Sequence, residues 1–168
     1  MSAAATDELH LRRAIELARL SREHGNHPFG SLLTDADGNV VLEAKNNVVT
    51  ERDVTGHAEL NLVRAASERF DADALGALGA LGAHTLYAST EPCAMCAGAI
   101  YWSGIGRVVF ALSSATFQGK IDPEGAAGLS LSCREVFARG GRTVDVSGPH
   151  LEDLAWTAHE GFWQPDGT

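Results

Sequence analysis

Four residues of this 168-residue chain have types and spacings suited to metal-assisted hydrolysis: His57, Glu59, Cys93 and Cys96. The two thiols stand three apart behind Pro92, so they read as neighbouring sulfurs on the first turn of a helix. Proline suits that turn because it has no N–H to leave unpaired. A helix start adds free N–H groups and the positive end of the dipole, which favour the thiolate, the form that binds metal. Taken alone, the pair fits half of a structural zinc site or a redox couple. Cys133 is isolated, so a four-thiolate site fails by count. Joined to His57, the pair becomes an imidazole with two thiolates. Three protein ligands leave zinc a fourth position for water, the mark of a catalytic centre. Glu59, two positions after His57, stands where a carboxylate can take a proton from that water and pass it on. The plainer reading of Glu59 is an acid favoured in a helix's first turn.

The elements that must position these residues can be read in order. Thr6 caps a helix whose apolar face is Leu9, Ile15, Leu17, Ala18 and Leu20, and Gly25 stops it. Strands over 31–34 and 40–44 flank the Asp37-Gly38 turn, and a polar loop spans 50–55. Thr55 caps a helix over 56–66, and 71–83 is a low-complexity connector rich in Leu, Gly and Ala. A strand over 84–89 feeds the cysteine helix, which runs to about Ser103. Then follow a strand over 108–112, a polar Gly-rich loop over 113–128, a helix over 129–139, a strand over 142–146 and a terminal helix over 150–163. A hairpin followed by alternating helices and strands predicts an α/β fold, a mixed sheet with helices on both faces. Such a sheet can bring the His57 and Cys93 helix starts together at the carboxyl ends of its strands.

The length suits a single domain over 1–168, and the apolar content of 45% suits a globular chain. Thirteen basic against 22 acidic residues give a net charge of −9, which opposes a phosphate backbone as partner. No apolar run reaches the roughly 18 residues of a membrane span, and residues 1–6 lack a signal-peptide pattern. An odd cysteine count without such a signal predicts a reducing, cytoplasmic setting.

Four blocks then occur in a telling order: His27-Pro28-Phe29-Gly30, Asn46-Asn47-Val48, His57-Ala58-Glu59, and Glu91-Pro92-Cys93-Ala94-Met95-Cys96-Ala97-Gly98-Ala99-Ile100-Tyr101-Trp102. At these residues the chain resembles the cytidine-deaminase-like superfamily, whose signature is His-x-Glu and then Pro-Cys-x-x-Cys. Within it the small bacterial guanine deaminases are most similar, followed by cytosine deaminases and tRNA adenosine deaminases. The resemblance implies a zinc-dependent hydrolytic deaminase of three-layer α/β/α build on a five-stranded mixed sheet. It also implies a homodimer, in some members with exchanged C-terminal segments. His57, Cys93 and Cys96 would hold zinc, and Glu59 would shuttle the proton to the ring nitrogen and the departing amine. Asn46 would hydrogen-bond a carbonyl or ring nitrogen of the base and Phe29 would stack on its face. The backbone carbonyl of Ser89 or a neighbour would accept from the leaving amino group. Trp156, Phe162 and Trp163 would close the pocket from a lid segment over 149–168.

Plainer readings stand beside these: a strand-end turn for Asn46, core packing for Phe29, helix packing for the terminal aromatics. His10, His24 and His159 read as surface helix residues. The implied reaction is release of ammonia from a free nucleobase or analogue, with guanine first, then isoguanine, cytosine-type and aminated s-triazine rings. In relatives an acidic residue helps bind guanine; Asp122 and Glu124 lie in that region, but the Gly-rich spacing departs from the pattern. Two rivals remain. A tRNA adenosine-to-inosine deaminase shares the catalytic residues but is disfavoured by charge. A non-catalytic zinc-stabilised binding module would need a closed set of four ligands.

Overall fold

The computed structural model describes residues 3–70, 81–125 and 128–163. Five strands lie in the order β2-β1-β3-β4-β5, with β1 (Gly30–Thr34), β2 (Val40–Lys45), β3 (Thr85–Thr90), β4 (Arg107–Leu112) and β5 (Asp145–Ser147). β1 pairs antiparallel with both β2 and β3, whereas β3, β4 and β5 run parallel. The mixed five-stranded sheet is therefore as predicted. Asp35 Oδ1 accepts the Asp37 and Asn39 N–H groups to shape the β1–β2 turn. Gly38 there adopts φ +82°, open to a residue without Cβ.

Alternation along the strands sorts the core into two layers. On one face Leu86, Ala88, Val108 and Phe110 pack against α3 (Ala58–Arg69), α4 (Ala94–Ser103) and α6 (Cys133–Ala138). On the other, Leu32, Tyr87, Val109 and Ala111 pack against α1 (Ala3–Glu23) and α7 (Glu152–Trp156). Two short helices, α2 (Val48–Glu51) and α5 (Ser114–Ile121), complete the chain order. Helix α1 lies so close on β1 that a Cβ at Gly30 would stand 2.5 Å from the Ala14 carbonyl oxygen. Among the described residues no helix is long and apolar enough to cross a membrane.

Several predicted boundaries are corrected. Helix α1 already includes Ala3–Ala5, because alanine extends a helix readily, so Thr6 lies inside it and is not its cap. Its inner face uses Leu11, whereas Leu9 is 54% exposed. His57, not Thr55, is the N-cap of α3; Thr55 instead gives its N–H and hydroxyl to Asp53. Pro92 precedes the N-cap of α4, which is Cys93. The loop predicted over 50–55 begins inside α2, and the one over 113–128 contains α5. Helix α6 starts only after Ser132, where a capping box with Glu135 fixes its first turn. Strand β5 begins at Asp145 because Arg142 is engaged elsewhere, donating to the Ile100, Tyr101 and Ile105 carbonyls at the end of α4. The terminal helix stops at Trp156 and continues as turns through Trp163. Residues 71–80 of the predicted connector and 164–168 of the predicted lid lie outside the described residues.

Candidate active site

His57 and Cys93 each occupy an N-cap with extended backbone, φ −70° and −66°, and neither side chain makes a capping hydrogen bond. A Ser or Asp at such a position would turn inward to the helix N–H groups. Here the imidazole and the thiol are free to face each other across the carboxyl end of β3. His57 Nδ1 lies 3.6 Å from Cys93 Sγ and 3.5 Å from Cys96 Sγ. Glu59, only 6% exposed, brings Oε2 to 3.6 Å from Cys96 Sγ.

This donor set fits zinc. Bonds of about 2.3 Å to sulfur and about 2.0–2.1 Å to nitrogen at a tetrahedral angle separate N from S by about 3.5–3.6 Å. The separations from His57 to the two sulfurs are of that size. His57, Cys93 and Cys96 form the one three-donor group among the described residues that could hold a metal ion. The hydrogen bond from Cys96 holds the Cys93 thiol well below its ordinary value, while the same contact and burial push Cys96 up. Hydrogen bonding to Cys93 raises His57. Burial is the chief cause that raises the Glu59 carboxyl, so it keeps a proton at a higher pH than an exposed glutamate does.

A cavity of about 150 Å³ opens beside these groups, and its walls include Phe29, His57, Glu59, Thr90, Cys93 and Phe117. Gln118, Leu129 and Leu131 complete the far side. Glu91 ties the metal turn to that side: Oε2 accepts the Ser114 N–H and hydroxyl at 3.0 Å, and Oε1 accepts the Cys133 N–H at 3.2 Å. The helices α5 and α6 are thereby pinned beside the cysteine turn.

The structure brings Phe29 to the cavity, with its ring 5.5 Å from Phe117. Asn46 is not among the lining residues: its backbone N–H donates to the Phe29 carbonyl, its Oδ1 accepts the Val48 N–H, and its buried Nδ2 has no partner among the described residues. Ser89 does not line the cavity; its hydroxyl accepts the Gly30 N–H, and the next residues, Thr90 and Glu91, form the wall. Trp156, Phe162 and Trp163 form an outer aromatic layer rather than the lining itself. Trp163 packs 5.5 Å from Phe117 and 6.0 Å from Phe29, Phe162 packs on His27, and Trp156 stacks on His159. Asp122 and Glu124 are not among the lining residues.

Reading from sequence missed Phe117 and Gln118 because they sit on a short helix hidden in a polar, Gly-rich stretch. It also misplaced two histidines. His10 is 6% exposed and packs on Tyr87, and His159 is 1% exposed at the centre of the aromatic layer. His24 is exposed as expected.

Residues 4–112 match the cytidine and deoxycytidylate deaminase zinc-binding region. The chain belongs to this deaminase family. Similar family members include the probable cytosine deaminase of Schizosaccharomyces pombe, 38% identical over 159 residues, 94% of this chain and 92% of that protein. The guanine deaminase of Bacillus subtilis is 41% identical over 105 residues, 62% of this chain and 63% of that protein. A tRNA-specific adenosine deaminase of the same organism is 37% identical over 119 residues, 71% of this chain and 65% of its own length. Among solved structures, NE0047 in complex with 2,6-diaminopurine superposes with a TM-score of 0.78 at 28% identity, covering 96% of this chain and 83% of that one. This deaminase has the mixed sheet with helices on both sides of those neighbours, and its zinc-binding region contains His57, Cys93 and Cys96.

Proposed function

We propose that this deaminase acts on a free nucleobase, guanine or a cytosine-type ring first, with isoguanine and aminated s-triazines as further substrates. One observation carries the reading: the cavity beside Glu59 is small, pairs the apolar Phe29, Phe117, Leu129 and Leu131 with acidic and neutral polar groups such as Glu91, Thr90 and Gln118, and has no Lys or Arg among its described lining residues. A nucleotide or an anticodon arm would need cations for its phosphates. The net charge of −9 points the same way. The relatives of the cytosine and guanine deaminase kinds support a nucleobase, and the tRNA deaminases among them supply the competing reading.

Zinc held by His57, Cys93 and Cys96 would acidify a water in its open position and so supply the nucleophile. The work of the chain's own residues follows from placement. Glu59, protonated more readily than an exposed carboxyl, gives its proton to the ring nitrogen as water adds to the amine-bearing carbon. It collects the first proton that water loses and delivers it to the departing amine, and the second, released as the carbonyl forms, returns Glu59 to its starting state. Water and an amino-substituted ring thus become a ring carbonyl and ammonia. Asn46 has its Oδ1 committed to Val48, so Nδ2 is left as the donor for a carbonyl or ring nitrogen. Phe29 offers a ring face, and the backbone at Ser89–Thr90 offers acceptors for the leaving amino group.

The test is ammonia release by the zinc-loaded protein across guanine, isoguanine, cytosine, adenine, aminated s-triazines, the matching nucleosides and a tRNA anticodon stem. Turnover of a free base above its nucleoside, lost in Glu59→Gln with zinc content unchanged, is the expected result. Inosine formed in the anticodon stem while free bases stay intact would replace this reading with the tRNA one.

A further inference from the structure

The buried histidine that the reaction does not use sits at a junction. His159 is 1% exposed, and its ring lies 5.2 Å from Phe29, 5.1 Å from Phe117 and 5.7 Å from Trp156. Its two nitrogens face different structures. Nδ1 accepts the Trp163 indole N–H at 3.1 Å, and Nε2 lies 3.4 Å from the Thr90 hydroxyl.

Hydrogen-bond inventory fixes the rest. An indole nitrogen only donates, so Nδ1 must carry a lone pair, and the ring is the neutral tautomer with its proton on Nε2. That proton points to Thr90 Oγ1, which therefore accepts. A hydroxyl that has accepted keeps its own proton to give away. Among the described residues His159 is the hydrogen-bond partner of this hydroxyl, and Thr90 itself lines the cavity. The neutral state is supported independently, since burial and then the nearby Arg22 charge hold the imidazole down to about 4.

We propose that His159 is a positioning residue that, locked by Trp163, turns the Thr90 hydroxyl into a hydrogen-bond donor aimed at the bound ring. Thr90 then selects for a carbonyl oxygen or an unprotonated ring nitrogen at that edge. The same two bonds hold the turn after α7 against the cavity wall within one chain. This deepens the proposed function and rests on it for the identity of the ring, though the Trp163–His159–Thr90 relay does not.

The experiment uses the zinc-loaded full chain with guanine and cytosine as probes. Thr90→Val and His159→Leu should each raise KM about three- to tenfold, the worth of one neutral hydrogen bond, with kcat within about twofold. The double variant should be no worse than either single one, because the bonds act in series. His159→Gln, whose amide offers both an acceptor and a donor, should recover part of the loss. In substrate-free protein the Trp163 indole resonance, assigned with Trp163→Phe, should shift in His159→Leu and much less in Thr90→Val. An unmoved indole resonance, additive KM effects, or a His159→Leu variant with wild-type KM each overturns the proposal. If wild type deaminates neither base yet the indole resonance moves, the proposed function falls and takes the donor assignment at Thr90 with it, while the His159 lock stands.

Discussion

Acid should loosen this protein earlier than its carboxylates would dictate, and His159 is the reason. Its imidazole is buried among Phe29, Phe117, Trp156 and Trp163 with Arg22 nearby, and sits at about 4 instead of the ordinary 6.5. A histidine depressed in the folded state is protonated in the unfolded chain first. Its contribution is thus complete above about 6.5 and is lost as pH falls from there towards 4. Linkage over that gap gives about 2 kcal/mol lost between pH 7 and pH 5, and about 3 kcal/mol at the limit. Protonation also removes the Nδ1 lone pair that accepts the Trp163 indole. Denaturant unfolding of zinc-loaded wild type and His159→Leu, followed at pH 7, 6 and 5, isolates the effect. The zinc ligands and the other depressed histidines, His27 and His84, titrate in both proteins and cancel in the difference. The variant starts lower at pH 7 through its lost hydrogen bonds, and the gap should close or reverse by pH 5. Stability curves that stay parallel to within about 0.5 kcal/mol over this range would refute the reasoning.

Asp7 makes a two-pronged bond to Arg107 at 2.7–2.8 Å and accepts the Tyr87 hydroxyl, and chiefly the Arg107 bond holds its carboxyl below the ordinary value. Its contribution is present above that value and fades as pH drops through the lowered one, so Asp7→Asn should cost about 1.5–3 kcal/mol at neutral pH in denaturant unfolding and nothing at strongly acid pH. Gly30→Ala would put a Cβ 2.5 Å from the Ala14 oxygen and 2.6 Å from the Ala18 nitrogen, both backbone atoms of α1. It should cost about 3 kcal/mol or more, and a melting temperature within 2 °C of wild type, on the order of 1 kcal/mol, would mean that α1 shifts freely. Zinc removal by a chelator should abolish ammonia release and speed amide exchange at the first turns of α3 and α4, with both effects reversed by added zinc.

The metal and proton-transfer residues were legible because their signal is local. Each of His57-x-Glu59 and Cys93-x-x-Cys96 is complete within four residues, and the strand that feeds the cysteine helix is carried by the short apolar run Leu86-Tyr87-Ala88. The pocket wall was not legible, for the opposite reason. Phe117, Leu129 and Leu131 of the wall, and His159 packed on it, come from segments far apart in sequence, and only packing brings them beside Phe29. His159 shows how this misleads. Its neighbours in the chain are polar or charged on one side, so it reads as a surface residue, yet the turn after α7 rotates it onto Phe117 and Thr90. The start of β5 was misread because a long-range demand overrode the local one: Arg142 left the edge of the sheet to satisfy the last carbonyls of α4.

The cap positions connect these two kinds of information. A helix N-terminus leaves backbone N–H groups unpaired and carries positive potential, which ordinary sequences meet with a Ser, Thr or Asp side chain. At α3 and α4 the cap residues are His57 and Cys93, whose side chains make no capping hydrogen bond and face each other instead. Local helix stability is given up at two ends that face one another, and the deficit is met by something shared between them. Thiolate charge at the start of α4 answers the dipole, and a dication between the two ends answers the thiolates. The same exchange explains why Glu91 matters although its side chain bonds none of the three metal ligands. By accepting from Ser114 and Cys133 it makes α5 and α6 depend on the position of the cysteine turn. Displacing that turn would therefore move Phe117 and Gln118 with it, so the pocket wall and the metal site cannot vary independently.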